Sequence, residues 1–199
     1  MGRKARFHKD HFVGAALNLL AQGGPAAVTM AAVAGESGAP IGSVYHRFVS
    51  RDVLLAELWL TIVESFQRGF IKALKRDDGL SAALHTVRWV RKHRREARVL
   101  LLHRREDLAS GKWPDDMKSR TEHLAGELDD GIRAFTCSLY GRSTRRNLLR
   151  VTFALIDVPS AAVRRHLEAG NVPPKAVDDF IKETYCAILG RGNESLEHT

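Results

Sequence analysis

From residue 8 onward the apolar residues recur three or four positions apart, and no segment keeps the period-two alternation of a half-buried strand. Over 8–22, Phe12, Ala16, Leu19 and Leu20 fall at i, i+4, i+7 and i+8, one apolar face that the pair Gly23, Gly24 ends. Thr29 stands as an N-cap before 30–37, its hydroxyl placed to satisfy an orphan amide of the first turn. Gly38 stops that helix, and Pro40 sits in the first turn of another short one over 40–48. Ser50, with Asp52 in the first turn, opens a long helix over 52–76 whose stripe is Leu55, Trp59, Ile62, Phe66, Phe70 and Leu74. At ~1.5 Å per residue it reaches on the order of 35 Å, enough to leave a small N-terminal unit and enter a second. After the DDG break at 77–79, helical patterns are expected near 80–93, 96–109, 114–140, 144–157, 160–169 and 174–189. Gly111, Pro114, Gly141, Pro159, Gly170, Pro173 and Pro174 punctuate them.

The expected fold is therefore all-α, with a three-helix domain over 1–50 joined through the long fourth helix to a helical domain over 51–199. The segment after Tyr140 is unusually apolar, with Leu148, Leu149, Phe153, Leu155 and Ile156, and the last helix adds Val177, Ile181, Tyr185 and Ile188. Two such helices either bury their faces within one subunit or pair with the same two from a second copy across a two-fold axis. Periodicity does not choose between these.

Charge is distributed unevenly. Residues 1–50 carry a net +3 and the run RWVRKHRREARVLLLHRR over 88–105 a net +7, whereas the remainder after 105 is slightly acidic. Two localised basic regions point to a polyanion such as nucleic acid, the bland reading of the second being a solvated face. No apolar stretch approaches the roughly 20 residues of a spanning helix, and the basic N-terminus is not followed by an apolar signal core, so the cytoplasm is the expected compartment. Cys137 and Cys186 lack CxxC spacing and read as small buried hydrophobes. No HExxH spacing is present, and the adjacent acidic pairs point about 100° apart on a helix, so neither a metal centre nor an acid/base dyad is expected, nor a cofactor. The chain does not read as an enzyme.

A basic arm, a supporting helix and the helix-turn-helix around GAPIGSVYHRF form an arrangement in which the second helix of the motif enters a DNA major groove. The pattern is narrower than that. Ala15-Ala16-Leu17, Leu19-Leu20, Gly23, Val28-Thr29, Ala34, Gly38, Gly42 through Phe48, Arg51 and Leu54-Leu55 together resemble the N-terminal domain of the TetR family of transcriptional repressors, over about residues 8–58. The resemblance implies a homodimer on a pseudo-palindromic double-stranded operator, released when a small molecule enters the C-terminal domain. It places Thr29 as a helix cap against a phosphate, and Pro40 where the family often has Ser or Thr. Ile41 and Ser43 are expected on base edges, with Gly42 allowing close approach to the backbone. Tyr45 and His46 are expected on phosphates, with a core position the alternative for Tyr45; Phe48 and Val44 read as core. Arg51 stands for the family's usual Lys on a phosphate, and Arg3, Lys4 and Arg6 form a basic arm.

For an effector, Trp59, Phe66, Trp89, His103, Trp113, Met117 and Phe153 supply large groups on inward stripes, each of which also serves as ordinary core filling. Together they lead to an expected apolar or aromatic ligand. The competing functional class is an architectural DNA-binding protein without an effector.

Overall fold

The computed structural model describes residues 8–104, 108 and 113–190, all of it helices, turns and loops. Helix α1 is Lys9–Gly23, and a 3-10 turn at Pro25–Ala27 leads to α2, Met30–Ser37, and α3, Ile41–Arg47. Helices α4, Arg51–Leu74, and α5, Gly79–Lys92, are followed by α6, Arg94–Leu102, and α7, Asp115–Tyr140. Helix α8, Arg145–Thr152, continues through a π turn at Phe153–Asp157 into α9, Val158–Glu168, and α10 is Ala176–Leu189. Pro159 was expected to separate two helices. It has no N–H to give the ladder and its ring crowds the preceding turn, and the chain meets this by widening to a π turn, with helical dihedrals at Thr152, Phe153, Asp157 and Val158.

Packing divides the chain into two compact units. One takes the chain up to Val63 with Arg98–Thr121; the other takes Glu64–Ala97 with the chain from Glu122. In the first, α1 packs on α2 and α2 on α3. Phe12, Ala16, Leu20, Val33, Val44, Phe48, Leu54 and Leu58 are buried there, and the Phe12 and Phe48 rings meet edge to face. An acid lies among these apolar groups. Glu57, 3% exposed in the middle of the run LLAELWL, receives Lys9 at 2.6 Å and Arg120 on both carboxylate oxygens at 3.0 and 2.8 Å. The two cations compensate the cost of desolvating it.

In the second unit α5 is central, packing on α9, α10 and the π turn. Gly69 lets α5 approach α4, since a β-carbon at 69 would run into the His85 ring. Much of the basic run over 88–105 is committed to this unit. Arg91 donates to the carbonyls of Pro173 and Pro174 and pairs with Asp178 at 2.5 Å, and Arg94 donates to the carbonyl of Gly170. Burial pushes the Asp178 carboxyl up, but the hydrogen bond and charge of Arg91 outweigh it and hold it below the ordinary carboxylate range.

Candidate nucleic-acid interface

The helix-turn-helix is built from caps. The Ala32 N–H donates to Thr29 Oγ1 at 3.0 Å, and α2 ends at Gly38 with φ 63°, a left-handed conformation that costs glycine nothing. The Ala39 N–H then returns to the Ala34 carbonyl at 3.0 Å, closing the turn. Pro40 occupies the N-cap position itself, so α3 begins one residue later than expected, and the Ser43 N–H donates to the Pro40 carbonyl at 2.9 Å.

The register of α3 follows from two anchors. Val44 is fully buried and Phe48 nearly so, which turns Ile41, Gly42, Tyr45 and His46 outward; Ile41 is 47% and Tyr45 51% exposed. The core alternative for Tyr45 is thereby removed. Ser43 is half-buried, while Thr29 and Pro40 are exposed at the ends of the turn. Arg47 and Val49 are exposed beside this stripe, Val49 at 78%. Neither was singled out from sequence, although an arginine directly after His46 was the available signal.

Arg51 takes a different role from the expected one. Its Nε donates to the Val28 carbonyl at 2.6 Å and an Nη to the Pro25 carbonyl at 2.5 Å, so the guanidinium clamps the 3-10 turn to the start of α4 instead of standing free for a phosphate. Arg3, Lys4 and Arg6 lie outside the described residues.

The seven groups expected around an effector are divided between the two units. Trp59 and Trp113 meet edge to face in the first unit, where Met117 is buried and His103 half-buried. Phe66 and Trp89 belong to the second unit, with ring centroids 5.3 Å apart beside His85 and Phe70. Phe153 is 50% exposed. A cavity of about 530 Å³ in the second unit is lined by α4 and α7 residues and by none of these seven.

The apolar residues of the last helices, expected to be buried within the subunit or against a second copy, differ in exposure. Val177 and Ile181 are 3% and 1% exposed and belong to the core of their own unit. Leu148, Ile156, Tyr185 and Ile188 are half-buried, and Leu149 and Phe153 point outward. Phe180, not anticipated, is 57% exposed on α10, which packs beside α8 and the π turn. Arg150 holds the two helices together by donating to the Ile188 carbonyl at 2.6 Å. Cys137 and Cys186 are exposed rather than buried. Among the described residues no group of three His, Cys, Asp or Glu side chains is placed to hold a metal, and no helix is long and apolar enough to cross a membrane.

Residues 12–58 match the family described as bacterial regulatory proteins, tetR family. No curated protein matches the chain in sequence. Among solved structures, the fatty acid degradation regulator FadR from Bacillus halodurans superposes with a TM-score of 0.69 over 100% of both chains at 12% identity. FadR from Bacillus subtilis, solved in complex with stearoyl-CoA, gives 0.69 over 93% of this chain and 99% of that one at 11% identity. A TetR family transcription regulator from Marinobacter aquaeolei VT8 gives 0.62 over 90% and 94% at 13% identity. These likenesses carry the fold, while the match over the capped helix-turn-helix makes residues 12–58 similar to the DNA-binding segment of bacterial regulatory proteins of the tetR family.

Proposed function

We propose that the protein is a ligand-responsive repressor that binds a pseudo-palindromic operator as a homodimer. The observation that carries this reading is the outward stripe of Ile41, Gly42, Tyr45 and His46 on a helix whose register is pinned by buried Val44 and Phe48. On DNA, Ile41 supplies apolar contact to a thymine methyl, with Ser43 at the adjoining base edge. Gly42 admits the backbone closely, and Tyr45, His46 and the cap at Thr29 lie against phosphates. Arg3, Lys4 and Arg6 are read as an arm on the backbone or minor groove. Arg47 joins the phosphate contacts in place of Arg51.

Homodimerisation is assigned to α8, the π turn and α10 through Leu149, Phe153 and Phe180, because three large apolar groups on neighbouring elements remain exposed. Ligand responsiveness draws support from the fold shared with the Bacillus subtilis regulator that was solved with stearoyl-CoA.

Selection of bound fragments from random duplex DNA by the purified protein, followed by footprinting, tests the reading. Enrichment of an inverted repeat protected over both halves is the expected outcome. Uniform, salt-sensitive binding without enrichment would replace the repressor by an architectural DNA-binding protein.

A further inference from the structure

The cavity of about 530 Å³ between α4 and α7 has a composition that the DNA-reading role does not use. Its floor is apolar, with Ile71 and Leu124 each less than a tenth exposed. Gln67 joins them at 9% exposure, and its carboxamide oxygen is buried with no donor. Arg68, Lys72 and Arg76 follow at i, i+4 and i+8 along α4, and Lys75 adds a fourth cation to the wall. Glu64 and Glu127 are the acids of the lining, and His123 sits 3.9 Å from Glu127.

Three cations at successive i, i+4 positions repel one another, a cost that a solvated helix face ordinarily avoids by alternating signs. Arg68, Lys72 and Lys75 have no carboxylate within ion-pair distance among the described residues. An anion laid along the wall removes the repulsion, and a cavity of this size suits a ligand of ordinary metabolite dimensions. We infer that this cavity binds a small organic anion, a molecule with at least two negative charges as carboxylate or phosphate, an apolar portion over Ile71 and Leu124, and a hydrogen-bond donor for Gln67. That this anion is the effector rests on the proposed reading of the chain as a ligand-responsive repressor.

The test uses the full-length protein with pyrophosphate and citrate as probes at constant ionic strength, read as a shift of the thermal midpoint. Both anions should raise the midpoint of the wild type, whichever of phosphate or carboxylate serves better. The triple variant R68Q/K72Q/R76Q, altered at exposed positions only, should bind at least about tenfold more weakly. Y45A/H46A should respond as the wild type does, because its changes lie on the DNA-reading helix. No shift in the wild type, or an equal shift in wild type and R68Q/K72Q/R76Q, overturns the site. Loss of the shift in Y45A/H46A instead would place the anion on the reading head and overturn the site as well. The fragment selection is scored separately: if it enriches no inverted repeat while the anion still binds at the groove, the effector role falls and the binding site stands.

Discussion

Gly42 lies in the first turn of α3 with open space where a β-carbon would stand. Within the chain alone alanine fits there and favours the helix, so Gly42→Ala should leave the thermal midpoint unchanged or raise stability by about 0.5–1 kcal/mol. Its operator affinity should nonetheless fall, because the added methyl projects from the face proposed to meet DNA. Unchanged affinity in a titration with the selected operator would remove Gly42 from the interface. Arg51 makes the opposite lesson. Its position one helix start after Phe48 was legible and its charge suited a phosphate, yet its partners are carbonyls more than twenty residues earlier, at Pro25 and Val28. Such a partnership depends on how the 3-10 turn folds back, which no local spacing records.

His85 is the titrating group on which the packing of α4 and α5 depends. Its Nε2–H donates to the Phe66 carbonyl at 2.8 Å, and its ring lies among Phe66 and Phe70. Burial lowers its pKa below the ordinary 6.5, opposed by that hydrogen bond, with Arg88 and His93 adding to the lowering. In the unfolded chain the imidazole binds its proton first as pH falls, so the unfolded state gains from acidification and the fold does not. Stability should decline as pH falls below about 6.5, until the folded pKa is reached. His85→Gln, which keeps a donor for the carbonyl, should flatten that part of the profile when denaturant midpoints are compared from pH 7.5 to 5. Parallel profiles would mean that other histidines carry the dependence. Glu57 shows where pattern reading fails at this scale. An acid inside LLAELWL breaks the apolar run, and only the arrival of Lys9 and Arg120 from α1 and α7 makes its burial tolerable.

Assembly is decided by which apolar residues remain uncovered once each unit has packed. Leu149→Asp with Phe153→Asp should convert the proposed dimer to a folded monomer, seen by light scattering, and weaken operator binding with it. Ile181→Ala should instead cost about 2–4 kcal/mol of stability with the assembly unchanged, because it hollows the core of its own unit. A dimer that survives both aspartates would move the interface elsewhere. From sequence, the helical period and the punctuation by Gly and Pro were sufficient for an all-helical chain, and Thr29, Gly38 and Pro40 placed α3 to within one residue. These signals are local: a cap acts within one turn, and an apolar stripe repeats within a few residues. Val177 and Ile181 carry the same local signal as Phe180, and Trp89 the same as Trp113, so the stripe alone does not say which neighbour each meets. Tertiary packing decided that Val177 and Ile181 turn inward and Phe153 outward, paired Trp59 with Trp113 and Phe66 with Trp89, and left basic side chains lining a cavity between α4 and α7. Burial is a property of the whole unit, and a residue's place in it is fixed by partners distant in sequence.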